Sequence, residues 1–163
     1  MVVIKMWCYF RAFIQKGFYK IIYRKNLLIG KGVTWRRGFS VMKMPEAVIQ
    51  IGNNCFFNND CSLAANKLIS IGDGTIMGEN VKIYDHNHRF NKDELIKVLG
   101  YSNGEVFIGK NCWIGSNAVI LKGTHISNHC VIGAGCVISG YVPEWTIVKK
   151  TDNYQMCPIE QSR

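Results

Sequence analysis

No Cys-x-x-Cys pair occurs in the chain, although its 163 residues include seven cysteines. Without that spacing the cysteines read neither as a zinc finger nor as a disulfide framework, and a reduced, cytoplasmic protein is favoured. Acidic residues are scarce, 11 against 20 Lys and Arg, for a formal net charge of +9. Such an excess suits nucleic acid, an anionic membrane surface or a phosphate-bearing small molecule. No helix-turn-helix, RNA-binding or zinc-finger signature carries the basic residues into a groove, so nucleic acid ranks last and is not expected as a partner. Long charge-free hydrophobic runs are also missing. In the N-terminal segment MVVIKMWCYFRAFIQKGFYKIIYRKN the regular charges exclude a spanning helix, and no small-residue cleavage site marks a signal peptide. The length suits one domain with a continuous core.

What the chain does have is a period of six. From residue 106 to residue 142 it reads VFIGKNCWIGSNAVILKGTHISNHCVIGAGCVISGYV, with Ile108, Ile114, Ile120, Ile126, Ile132 and Ile138 in unbroken phase. Neither a helix nor a flat strand has that repeat. The second residue of a hexad is often Gly (Gly109, Gly115, Gly133) and the fourth often Asn (Asn111, Asn117). Both types accept positive φ at least cost, so both are expected to turn the chain. Fifth positions are slim: Cys112, Ala118, Thr124, Cys130, Cys136 and Val142, with Cys55 and Cys61 in earlier hexads. These cysteines read as core fillers, whereas Cys8 and Cys157 lie outside the repeats. Short strands joined by sharp turns then coil into a solenoid with stacked isoleucines inside.

Ahead of the repeats, residues 1–27 place Trp7, Phe10, Phe13, Ile14, Phe18, Ile21 and Ile22 at helical spacing among Lys5, Arg11, Lys16, Lys20, Arg24 and Lys25. An amphipathic helix is predicted, broken near Gly17. Two readings stay open: a helix that caps the solenoid with its apolar face, which is favoured, or one lying on an anionic membrane as a peripheral contact. The solenoid is predicted over residues 28–150. Its first coil is expected to be irregular, interrupted by Arg36, Arg37 and Pro45. Hexads follow from Ile51, Phe57 and Leu63, then from Ile71, Met77 and Ile83, with two residues bulging near Lys67 and Leu68. Between Ile83 and Ile108 the phase breaks, and residues 89–105 are expected to form an extruded functional loop. Pro143 is expected to stop the coiling, with one more strand through Trp145, Ile147 and Val148 and a weakly specified tail over 151–163.

The loop opens on YDHNHR, residues 84–89. Imidazole is the side chain best able to accept and return a proton near neutrality. Neighbours on a strand point to opposite faces, so no contact between Asp85 and His86 is assumed. The hexads resemble those of the hexapeptide-repeat acyltransferases, and the histidine stretch resembles that of the galactoside, maltose and polysaccharide O-acetyltransferases. That resemblance implies a mainly β chain folded as a left-handed parallel β-helix of triangular section. It also implies acetyl-CoA as co-substrate, a sugar hydroxyl as acceptor, a homotrimer with sites between subunits, and no metal. Carried over by motif, His86 is the first choice for a general base and His88 the second. NCWIGSNAVILKG implies Trp113 beside the pantetheine and Ser116 near the thioester oxygen, and VIGAGCVI implies an amide contact at Ala134. FFNNDCS implies Asn59, then Asp60, as acceptor ligands, with Asp85 a further candidate. In relatives the tail reads V-x-A-G-x-P-A-K-x-I; here it is IVKKTDNYQMCPI, where Lys149 and Lys150 supply charge for the nucleotide phosphates without the Gly-Pro turn.

The expected function is therefore acetyl transfer to a sugar hydroxyl of a polysaccharide or its precursor. A non-catalytic scaffold of the same fold is one alternative. A zinc carbonic anhydrase is another, less favoured because it needs three converging histidines from His86, His88, His125 and His129.

Overall fold

Three parallel sheets run along the chain and meet at three edges, forming a prism about six coils long. The computed structural model describes residues 2–150. The tail over 151–163, with Cys157, lies outside the described residues. On the first face Ile51, Ile71, Ile108, Ile126 and Val142 stand in register. On the second the column is Trp35, Phe57, Met77, Ile114, Ile132 and Val148. On the third it is Val41, Leu63, Ile83, Ile120 and Ile138. All but Val148 are buried. Each such side chain contributes about 1.5–3 kcal/mol on leaving water, and repetition makes the prism stable although no coil encloses a core by itself.

The hexad's turning duty falls on one slot alone. Positive φ occurs at the fourth position, in Asn54, Asp60, Asn80, Asn111, Asn117, His129 and Trp145, and in Gly32, Gly38, Gly74, Gly123 and Gly135. The second-position glycines have no positive φ and serve a different need. A Cβ on Gly115 would lie 2.6 Å from the amide nitrogen of Ala134, so only glycine lets successive coils stack this closely.

Fifth-position side chains bind the coils together. The Sγ of Cys55, Cys112 and Cys130 donate to the carbonyls of Gly72, Ser127 and Pro143 at 3.2, 3.1 and 3.0 Å. Val142 is not a fifth-position residue; the corner before it is two residues short, and Val142 begins the sixth coil opposite Ile126. Pro143 does not stop that coil. It takes the position from which Gly109 and Ser127 donate to the following coil, and among the described residues no coil follows on this face to need that bond; Trp145 is the corner's left-handed residue rather than part of a strand. The first coil keeps hexad spacing through Ile29, Trp35 and Val41, with Arg36 and Arg37 in a hexad turned by Gly38, but its last corner, which holds Pro45, is longer than a hexad's, so the coil is irregular there as expected.

Helix α1 runs unbroken from Val2 to Tyr23, through Gly17. It covers the open end of the first coil, but not with its large apolar residues. Lys16 Nζ donates to Gly30 O at 2.9 Å, Gln15 Nε2 to Phe39 O at 2.8 Å, and Tyr23 OH to Val41 O at 2.8 Å. Trp35 Nε1 donates back to Gln15 Oε1 at 2.8 Å, while Ala12 and Tyr19 are buried beneath the helix. The exposed strand edges need hydrogen-bond donors more than grease, so polar and small residues do the capping. Trp7, Phe10, Phe13, Ile14, Phe18, Ile21 and Ile22 stay exposed, contrary to the expectation that they pack on the solenoid.

Candidate active site

Both phase breaks fall on the edge between the third and first faces. The extra residues of the second coil are Asn66 and Lys67, between strands Ser62–Ala65 and Leu68–Ile71. In the third coil the chain leaves that edge after Tyr84, so IYDHNH is not a hexad. Strand His86–His88 pairs antiparallel with Tyr101–Asn103, and Arg89 N bonds Gly100 O at 3.1 Å. The excursion is thus a hairpin stem with a tip that includes the short turn Ile96–Val98, not a loop throughout.

Asp85 sits at the bend where the coil becomes the hairpin, which overrides the rule that strand neighbours face apart. Its side chain is fully buried. Oδ1 accepts from Asn66 N at 2.7 Å and faces His86 Nδ1 at 3.0 Å, while Oδ2 accepts from Lys67 N at 2.6 Å. The bulge exists to aim two amides at this carboxylate. Asp85 therefore has no oxygen to offer an acceptor sugar, contrary to its expected place among the acceptor ligands; it positions His86. An ionised carboxylate only accepts, so the neutral imidazole carries its proton on Nδ1 and keeps Nε2 as an acceptor.

The His86 side chain is 18% exposed. Its ring meets Tyr101 edge-on at 5.1 Å, and His88, exposed, lies 4.7 Å from the same tyrosine. Tyr101 escapes the sequence reading because nothing in the excursion marks it; only the hairpin register brings it beside both histidines.

The other candidates lie elsewhere. Asn59, Ser116 and Ala134 occupy the third hexad position at the edge between the second and third faces, one above another. Lys149 and Lys150 lie over the corner that holds Gly133 and is turned by Gly135. Asn59 Nδ2 donates to Glu79 Oε1 at 2.9 Å, and Ser116 Oγ accepts from Glu79 N at 3.1 Å. Asp60 is the left-handed turn residue, 3.9 Å from Arg37. Trp113 stands 54% exposed on the second face, between Ile76 and Val131. The third face, whose strands are two to four residues long, thus separates the groups on that edge from His86 by about 10–15 Å.

Among the described residues no three His, Cys, Asp or Glu side chains converge on a metal position. His125 lies between Phe107 and Tyr141 on the first face, and His129 stacks on Trp145 at 4.2 Å. Burial pushes the thiols of Cys55, Cys61 and Cys112 above their ordinary pKa, as suits fillers rather than nucleophiles.

A hexad-coiled parallel β-helix that extrudes a hairpin with an aspartate-held imidazole at its root is the class of protein defined here. The family model described as bacterial transferase hexapeptide (six repeats) matches residues 105–140. The chain is 29% identical over 131 residues to the putative lipopolysaccharide biosynthesis O-acetyl transferase WbbJ of Escherichia coli, covering 76% of this chain and 67% of that protein. It is 34% identical over 100 residues to the galactoside O-acetyltransferase of Escherichia coli, covering 58% of this chain and 46% of that one. The crystal structure of a maltose O-acetyltransferase from Clostridium difficile superposes with a TM-score of 0.63 at 29% identity, over 78% of this chain and 67% of that one. In repeat, fold and sequence the chain is similar to the hexapeptide-repeat transferases, whose family model matches its residues 105–140. It spans two thirds or less of the curated relatives quoted.

Proposed function

We propose that the protein transfers an acetyl group from acetyl-CoA to a sugar hydroxyl, of a polysaccharide or its precursor, with His86 as general base. The observation that carries this is the Asp85 contact, which holds Nδ1 and leaves Nε2 to take the hydroxyl proton. The alkoxide attacks the thioester carbonyl, and the tetrahedral intermediate expels the coenzyme thiolate, which recovers the proton. A non-catalytic scaffold has no need to bury a carboxylate solely to orient a largely buried imidazole.

We assign the coenzyme to the edge carrying Ser116 and Ala134, with Trp113 along the pantetheine and Lys149 and Lys150 toward the phosphates. Asn59 is the acceptor ligand, with Asp60 beside it. These groups and His86 occupy different edges of one chain, so the site is completed by a second copy in a homotrimer. The exposed Leu95, Ile96 and Val98 on the hairpin favour such a contact. The setting is cytoplasmic. No helix among the described residues is long and apolar enough to cross a membrane.

The test is acetyl transfer to a panel of sugars by His86→Ala and His88→Ala. The first should fold normally and lose about 10²–10⁴-fold in turnover, while the second keeps most activity. Full activity in His86→Ala with His88→Ala inactive moves the base two residues along.

A further inference from the structure

Helix α1 has two faces with different duties. One caps the first coil through Gln15, Lys16, Tyr19 and Tyr23. The opposite face carries Trp7, Phe10, Ile14, Phe18 and Ile21, each more than half exposed. At 3.6 residues per turn these five fall on one stripe, with Arg11 at one margin and Lys20 further round on the other side, beyond Phe13. A stripe of this size left in water on a single helix marks an interaction surface.

The charge of the protein is gathered at the same end. Ten Lys and Arg precede Glu46, the first acidic residue. Beyond residue 45 the other ten basic residues are outnumbered by the eleven acidic ones. The entire positive excess therefore sits on α1 and the first coil, where Arg11, Lys20, Arg24, Lys25, Lys31, Arg36 and Arg37 are exposed. A second copy laid on the stripe would bring two such ends together, so self-association is opposed by like charge. An anionic bilayer offers both things this end lacks: an apolar layer for the aromatic stripe and negative headgroups for the cations around it.

We propose that α1 docks the protein on an anionic phospholipid surface, lying in the interface with Trp7, Phe10, Ile14, Phe18 and Ile21 inserted and the prism standing away from the membrane. Successive coils rise about 4.8 Å and a helix is about 10 Å across, so His86, leaving the third coil, stands roughly 15–20 Å above the lipid surface. On the transfer reading above, an acceptor carried by that membrane must extend as far.

The test is co-sedimentation of the full chain with phosphatidylcholine vesicles, with and without phosphatidylglycerol, a measurement independent of any acetyl transfer. Binding is expected to the anionic vesicles and to weaken with salt. The double variant Phe10→Ser, Ile14→Ser should lose about 100-fold in affinity, since two exposed side chains give up their burial. It should keep the parent's melting temperature. Brominated lipid should quench tryptophan fluorescence in the parent and much less in Trp7→Phe. Absent binding, equal binding to neutral vesicles, or an unaffected double variant overturns the proposal. So does a lipid-free parent that sediments as a larger species than the double variant, which would make the stripe a contact between copies.

Discussion

Replacing Asp85 by Asn tests the assignment of the base most directly, because it keeps shape and removes charge. The buried carboxylate receives three N–H groups, from Asn66, Lys67 and His86, at 2.7, 2.6 and 3.0 Å. A carboxamide can turn its oxygen to Asn66 and His86, but its NH₂ then meets the Lys67 amide, donor against donor. One charge-assisted bond is lost, at a cost of about 1.5–3 kcal/mol in stability. Catalysis suffers separately. When Nε2 takes the hydroxyl proton the ring becomes a cation, and a carboxylate about 4 Å from its centre stabilises it by about 4 kcal/mol at the effective dielectric of a partly exposed site. With part of that screened by solvent, turnover should fall about 10²–10³-fold while KM for acetyl-CoA holds. The assay is coenzyme thiol release against acceptor concentration, beside a thermal melt. A turnover within about threefold of the parent refutes the reasoning. So does an Asp85→Asn, His86→Ala pair whose losses multiply, since a residue acting only through His86 adds nothing once the imidazole is gone.

Gly115→Ala should lower stability by at least about 2 kcal/mol in denaturant titrations, because its Cβ would lie 2.6 Å from the Ala134 amide nitrogen and neither coil can move alone. Gln15→Leu should cost about 1–3 kcal/mol, because it strands the buried Trp35 Nε1, which now donates to Gln15 at 2.8 Å; a melt unchanged from the parent would contradict the capping account. Cys55, Cys61, Cys112, Cys130 and Cys136 should resist thiol reagents while the protein is folded and gain five reactive groups on denaturation, since all are buried. Burial raises the pKa of Cys55, Cys61 and Cys112, so moderate alkalinity should not expose those three to labelling.

The hexad phase was legible because a coil repeats the same burial every six residues, and one isoleucine per face is enough to show it. The two phase breaks were legible as interruptions, but their relation was not. Nothing in the order of residues says that Asn66 and Lys67 lie on the same edge as Asp85, eighteen or more positions on. Helix α1 misled for a related reason. Its large side chains have the spacing of a buried face, yet the open strands beneath needed hydrogen-bond donors, and the face that meets them is the one with Gln15, Lys16, Tyr19 and Tyr23.

The order of residues alone determined the coil: its period, its slim fifth positions and the place where a histidine-bearing excursion begins. These follow from local sterics and from which side chains prefer to leave water, and both are written residue by residue. Stacking decided the rest. It divided the glycines between close approach and turning, turned Asp85 inward onto His86, brought Tyr101 beside both histidines and set Asn59, Ser116 and Ala134 on another edge. Contacts across nineteen or thirty-seven positions depend on how many residues each coil spends at its corners, and only the assembled prism adds that number up.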